Sequence, residues 1–371
     1  MTDKLFTLGP VEMYEYTRER PTGQLPYFRT EEYSGVNLEC AKRLKRLSGA
    51  ADDSHVFLLT CSGTGAMEAV VGGCFCAKDR LLTIDGGGFG HRFMELAAHH
   101  GIPHEAVSLK FGEALTAGAL EAAAESASGH SGDGSAGGFT GLLVNLHETT
   151  TGQLYDKDML SSFCRAHGLY FVCDAVGSFL ADPLDFEKDG VDALIISSHK
   201  ALALPPGLAV IIMSDRLYKK TIEQDIRPFS LYFDFRDAEA NAVRGQTPFT
   251  PAIGTVLALR ERLQRLEEEG GAEAAVSRTK ALAEDFRGRI KGLIENGLVA
   301  MPAHPLSNAC TPLVFAGGGA KAAYVRLSRE HGVWLNPNGG ELADTVLRTG
   351  HLGNLTIDDN KMLAGLLEDI L

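Results

Sequence analysis

The chain of 371 residues has a single tryptophan, seven cysteines, and a formal net charge of −13. The charge and the cysteines each exclude something. The shortage of positive charge argues against nucleic acid or an anionic membrane surface as the main partner, since both would be repelled. An anionic ligand must then be held by a local positive site. No uninterrupted apolar run approaches the ~20 residues of a membrane span, and Met1–Thr7 lacks the basic-then-apolar layout of a signal peptide. The cysteines are odd in number and mostly embedded in apolar segments, which fits reduced thiols in a cytoplasmic protein. No His, Cys and carboxylate cluster has metal-ligand spacing, so no metal is expected. Glycine, at 42 residues, is in excess. At ~100–200 residues per domain, the length suggests two or three domains.

From residue 56 a repeated pattern appears: an apolar run, a small-residue loop, then a helical period. Val56–Thr60 leads into Cys61-Ser-Gly-Thr-Gly65 and a helix over Ala66–Cys76. Arg80–Ile84 leads into Asp85-Gly-Gly-Gly-Phe-Gly90 and a helix over His91–His100. Gly141–Leu146 leads into His147-Glu-Thr-Thr-Thr-Gly152 and a helix over Lys157–His167. Tyr170–Cys173 ends at Asp174, and Ala193–Ser197 is followed by Lys200. Such alternation predicts βαβ units in a mostly parallel sheet, with ligands at the carboxyl ends of its strands. Before residue 50 only Cys40–Leu47 reads as amphipathic, and Glu121–Phe139, rich in Ala, Gly and Ser, reads as a helix end and a surface loop. After about 250 the character changes. Helices are expected over Ile253–Glu269 and Ala272–Asn296, strands at Leu298–Met301 and Thr311–Phe315, and helices at Ala320–His331 and Asp358–Leu371. The expected division is an N-terminal arm (1–20), a large domain (21–250) and a smaller C-terminal α/β domain (251–371). Glu267–Glu269 reads as a solvated helix face.

Three segments carry chemistry. Lys200 follows an apolar strand in Ser197-Ser-His-Lys200, where partial desolvation lowers an amine's pKa and makes it a nucleophile toward carbonyls. On that feature alone, a surface lysine after a strand is the commoner outcome. Asp174 ends another apolar strand 26 residues earlier, a gap that fits neighbouring strands of one sheet. It could cap a helix, bind a metal or pair with a cationic ring nitrogen. Ser62-Gly-Thr opens a helix, whose free N–H groups and positive dipole end suit a phosphate. No Gly-Lys-Ser/Thr follows, so this is not a Walker loop, and Gly86–Gly90 lacks dinucleotide spacing. Phe89 in that loop could stack on a flat ligand or pack in the core. A phosphate cradle, a stacking aromatic, an acid for a ring nitrogen and a Schiff-base lysine together describe a pyridoxal 5'-phosphate site.

The order of motifs resembles the class V aminotransferases among the fold-type I pyridoxal-phosphate enzymes, in wording nearest to alanine–glyoxylate, serine–pyruvate and 2-aminoethylphosphonate transaminases. The matching segments are Ser62-Gly-Thr, Gly88-Phe-Gly90, His147–Gly152, Asp174-Ala-Val-Gly-Ser178, Ser197–Leu202, Thr250-Pro251 and Leu347-Arg-Thr-Gly-His-Leu-Gly353. The resemblance implies an α/β fold with a seven-stranded sheet between helices and a smaller C-terminal domain. It implies Lys200 as the cofactor-bearing lysine, Asp174 on the ring nitrogen, and Phe89 opposite Val176 across the ring. Ser62, Gly63, Thr64, Ser197 and His199 would hold the phosphate, and Thr149 the ring hydroxyl. Thr250 would reach the neighbouring subunit's phosphate, which implies a homodimer with sites at the interface. Arg348 would grip the substrate carboxylate, as a planar guanidinium does bidentately. The implied activity moves an amino group between a small amino acid, or an amine like 2-aminoethylphosphonate, and a 2-oxo acid such as pyruvate or glyoxylate.

The N-terminal part departs from that pattern. Phe28 stands where relatives often carry His, while Leu8-Gly-Pro10 resembles the stretch that lines the substrate entrance. Arg29 could be a second anion anchor or a helix-start ion pair, with Arg18, Arg20 and Arg244 as similar possibilities. The alternative on the same scaffold is a cysteine desulfurase, for which Cys310 would be the nucleophile; a lyase, an epimerase or a cofactor-free binding scaffold are further alternatives. Cys310 precedes an apolar strand, and Cys74-Phe-Cys76 lies on an apolar helix, so buried structural thiols are expected at both.

Overall fold

The computed structural model describes residues 3–19, 24–128, 138–223, 226 and 229–371. Arg20 and the centre of the Ala/Gly/Ser-rich stretch, 129–137, lie outside the described residues. Seven strands form the main sheet: β1 (His55–Leu59), β2 (Leu81–Asp85), β3 (His104–Ser108), β4 (Gly141–Asn145), β5 (Tyr170–Asp174), β6 (Ala193–Ser197) and β7 (Ala209–Met213). Their spatial order is β1-β7-β6-β5-β4-β2-β3, and only β7 runs antiparallel to its neighbours. The central strands β4 to β7 are buried along almost their whole length, as their unbroken Val, Ile and Leu runs require of strands covered on both faces. With β4, β5 and β6 parallel, Asn145, Asp174 and Ser197 all come to the same edge of the sheet.

The flanking helices are placed by local signals. Helix α1 (Glu31–Ser48) begins where Thr30 Oγ1 accepts from Tyr33 N and stops at Gly49 in the left-handed region, φ 71°. Its buried Tyr33, Val36, Cys40, Leu44 and Leu47 recur at helical spacing, so the expected Cys40–Leu47 segment is the second half of a longer helix. Helix α2 (Gly63–Cys74) follows β1 directly; Ser62 caps it by accepting from Gly65 N at 3.3 Å. Helix α3 (Gly88–His99) follows β2.

Helix α4 (Ile253–Glu268) packs Val256, Leu259, Leu263 and Leu266 into the same core as α1 and β4–β7. A separate core then gathers Leu282 and Phe286 from α5 (Gly271–Arg289) with residues from α6 (Ala320–His331) and α7 (Ile357–Ile370). These helices cover an antiparallel sheet of β8 (Cys310–Val314), β9 (Asn336–Pro337) and β10 (Val346–Gly350). Phe6 of the N-terminal segment is buried in this second core. The clusters of buried residues therefore change between Leu266 and Leu282, with α4 packed in the first of them. Two more differences are local. The expected helix over Ala272–Asn296 is interrupted at Ile290, and Leu298–Met301 forms only a single bridge, Ala300 to Val314. Glu267, expected on a solvated face, accepts hydrogen bonds from both Arg43 and Arg46.

Candidate active site

Lys200 lies three residues beyond β6, in a loop drawn tight by Ser198 Oγ donating to Pro205 O at 2.7 Å and Ala203 N donating to Lys200 O at 2.8 Å. The segment Leu8–Pro10 closes over it. A Cβ on Gly9 would stand 2.6 Å from Lys200 Cδ, and Gly9 has φ +144°, so no side chain fits there. Burial lowers the Lys200 amine to about 8, with the Asp174 charge opposing and the Arg348 charge assisting. Asp174 ends β5, 5% exposed, and accepts from Val176 N at 2.9 Å. Burial raises its carboxyl to about 7, against the Val176 N–H and the charge of Lys200. The charges of the two residues singled out by sequence thus act on each other.

The amino end of α2 adjoins them. A Cβ on Gly63 would lie 2.9 Å from Val176 Cγ2 and 3.7 Å from Ser197 Cβ, which brings the Ser62–Thr64 turn, Val176 and Ser197 to one place. Ser197 Oγ is 3.0 Å from His199 Nδ1. Burial, helped by the Lys200 charge, lowers His199 to about 4, so its imidazole is neutral near pH 7. Thr64 Oγ1 accepts from Arg92 Nη1 at 3.3 Å, adding a guanidinium beside the turn that the motifs did not reveal. Phe89 sits half-buried in the first turn of α3, and its N–H donates to Glu148 Oε2 at 3.2 Å.

On the other side, Arg348 from the middle of β10 donates to Thr149 O and Pro337 O, each at 2.8 Å, while its buried Nε has no partner among the described residues. His147 Nδ1 meets Gly177 O at 3.0 Å, so that nitrogen carries the proton. Burial, against that hydrogen bond, lowers His147 to about 3, and its Nε2 has no partner among the described residues. Arg29 is placed differently from a free anion anchor. Its guanidinium donates to Gln246 Oε1, Thr247 O and Pro248 O and lies over the Phe28 ring, bracing the segment just before Thr250. Thr250 is exposed on this chain. Cys310 is fully buried and its thiol is pushed up to about 12, so it is not a thiolate nucleophile.

These groups fit one kind of ligand. A helix amino end with Ser62, Thr64 and Ser197 can take a phosphate, Asp174 a protonated ring nitrogen and Lys200 an aldehyde. The buried Nε2 of His147 and Nε of Arg348, both without a partner among the described residues, agree with a polar ligand between them and Lys200. Fold and site together define a fold-type I pyridoxal-phosphate enzyme. A model of the family "Aminotransferase class-V" matches residues 140–347. The chain belongs to that family and is a pyridoxal-phosphate-dependent aminotransferase. It is 29% identical over 370 residues to a 2-aminoethylphosphonate–pyruvate transaminase of Vibrio vulnificus, covering 98% of this chain and 96% of that one. It is 27% identical over 350 residues to a soluble hydrogenase small subunit of a Synechococcus strain, covering 92% and 86%. The crystal structure of an alanine–glyoxylate aminotransferase from a Nostoc species superposes with TM-score 0.90 at 22% identity, covering 100% and 95%. The names of the three differ, so what they share is the scaffold.

Proposed function

We propose that this enzyme takes the amino group from a small α-amino acid and passes it to a 2-oxo acid such as pyruvate or glyoxylate. The observation that carries this reading is Arg348. Two backbone carbonyls hold its terminal nitrogens in place, and its buried Nε has no partner among the described residues, so unlike Arg29 it keeps a buried N–H for a carboxylate. Pyridoxal phosphate bound here supplies an aldehyde that condenses with amines and a ring that accepts the electrons of the substrate α-carbon. Lys200, whose amine burial brings down to about 8, would hold the aldehyde and, once freed by a substrate amine, would serve as the base for the substrate α-proton. Asp174 keeps the ring nitrogen protonated. Ser62, Gly63, Thr64, Ser197 and His199 hold the phosphate, Phe89 and Val176 orient the ring, and Thr149 holds its hydroxyl. Thr250 reaches the phosphate of a second copy, so the working form is a homodimer. A cytoplasmic setting goes with this reading, supported by seven cysteines that are all free thiols. No helix among the described residues is long and apolar enough to cross a membrane.

A second reading, 2-aminoethylphosphonate as the amino donor, is supported by the Vibrio relative. Against it, Arg29 is engaged with residues 246–248. Mixing the purified holoenzyme with alanine, serine, 2-aminoethylphosphonate or cysteine and following the cofactor's near-visible band separates these. Bleaching by alanine or serine, reversed by pyruvate or glyoxylate, is the expected result. Bleaching by the phosphonate alone would favour the second reading, a persulfide on Cys310 a desulfurase, and an unchanged band with every donor would overturn transamination of these substrates.

A further inference from the structure

A cavity of about 220 Å³ lies behind the Lys200 loop, walled by Tyr14, Leu180, Ala201, Arg262, Arg278 and the start of α5. Its chemistry is that of an anion site. The Arg262 side chain is only 5% exposed; it donates to Tyr16 Oη at 3.2 Å and Tyr14 Oη at 3.4 Å, and its Nε has no partner among the described residues. Arg278 donates to Tyr14 Oη at 3.1 Å and to Gly353 O at 3.0 Å. Among the described residues the only carboxylate on the wall is Glu269, which accepts from Arg262 at 3.2 Å and is otherwise largely in solvent. Two guanidiniums against one carboxylate leave a positive excess in a protein of net charge −13. The third contribution is the amino end of α5, a 19-residue helix whose cap, Gly270, has no side chain to accept from its first N–H groups; Gly271, Ala274 and Ala275 face the cavity. Uncapped N–H groups and the positive end of the helix dipole add to the guanidiniums at one point.

We propose that this cavity binds a small oxyanion, a carboxylate or inorganic phosphate, separately from the substrate position at Arg348. One water needs ~10–15 Å³ of such space, so the cavity has ample room for a carboxylate or a phosphate ion. The walls come from the N-terminal segment, the loop after Lys200, the α4–α5 corner and the residues following β10. A bound anion therefore ties together the parts that surround the catalytic lysine, and its release loosens them.

The test uses holoenzyme reduced with borohydride, which keeps the cofactor phosphate in its own cradle. Inorganic phosphate, and in a second arm acetate, is titrated calorimetrically at constant ionic strength into wild type, Ala274→Asp and Arg348→Ala. The Ala274→Asp substitution sets a carboxylate in the first turn of α5, where a negative charge suits the helix end, so this variant folds and fills the site itself. Saturable binding to wild type and Arg348→Ala, weakened at least tenfold in Ala274→Asp, is expected. Acetate binding alongside phosphate marks a general oxyanion site, and phosphate alone a tetrahedral one. Binding that survives in Ala274→Asp but disappears in Arg348→Ala, or no saturable binding to wild type, would overturn the proposal.

Discussion

Burial acts in opposite directions on Lys200 and Asp174, lowering the amine to about 8 and raising the carboxyl to about 7. In the cofactor-free protein the two contributions to stability have opposite signs. Asp174 adds stability that is complete below its ordinary value of 3.8 and lost as pH rises through about 7. Lys200 adds stability that is complete above its ordinary 10.5 and lost as pH falls through about 8. Between pH 4 and 7, then, chiefly the Asp174 share changes. Asp174→Asn removes it while keeping an acceptor for Val176 N. From pH 4 to 7.5, wild type is expected to lose on the order of 2 kcal/mol more stability than Asp174→Asn, read by urea unfolding. The buried histidines titrate alike in both, and parallel pH profiles would refute the assignment. Both residues were legible as single ionisable groups at the ends of apolar strands. Gly9 and His147 stood in segments that the resemblance singled out, but their contacts were not legible, because each depends on a partner far along the chain: Lys200 for one, Gly177 for the other.

The helix that presents Phe89 has no cap of its own. Gly87 precedes it without a side chain, and the cap comes from a different element: Glu148 Oε2 accepts from Phe89 N at 3.2 Å and Gly90 N at 3.1 Å. The same carboxylate accepts from Asn145 Nδ2 and Thr150 N, each at 2.9 Å, and is fully buried. Glu148→Ala leaves four donors without their acceptor in the interior and should cost about 3 kcal/mol or more, whereas Glu148→Gln, which keeps one oxygen, should cost about 1 kcal/mol. Urea unfolding measures both, and equal small losses would show that water replaces the carboxylate. Glu148 stood inside a recognised motif, yet its spacing carried no hint that it caps a helix some 60 residues away. The strands show the same division. Apolar runs ending in polar loops marked β1, β2, β4, β5 and β6, since the βαβ pattern repeats there. Strand β3 escaped because His104-Glu-Ala-Val-Ser is a half-exposed edge. Strand β7 escaped because it follows Pro205-Pro-Gly207 with no helix before it and runs against its neighbours.

At the scale of the molecule, several large apolar side chains between residues 231 and 249 stand in solvent. Leu231 is 82% exposed and Val243 67%, and the Tyr232 and Phe249 rings stack at 5.1 Å with both edges partly open to solvent. This surface is continuous with the cofactor cradle. Tyr232 Oη donates to Thr60 O at 3.3 Å, and Ala252 N donates to Thr60 Oγ1 at 2.9 Å, two residues before the Ser62 cap. Arg29 fixes the intervening 246–248 segment from the other side, and Thr250, two residues further on, is exposed. A second copy seated on this face would cover the apolar residues and receive Thr250 at its own phosphate turn. Composition gave no sign of this, because a net charge of −13 describes the whole surface and the patch depends on which residues the fold gathers. The double variant Leu231→Asp, Val243→Asp is expected to halve the mass in sedimentation equilibrium and to speed cofactor loss at least tenfold, with an unchanged circular dichroism spectrum. Thr250→Ala alone should speed cofactor loss while the mass stays that of a dimer. A wild-type protein that sediments as a monomer, or a Thr250→Ala variant that retains cofactor as wild type does, would remove the partner's threonine from the site and leave the cradle complete within one chain.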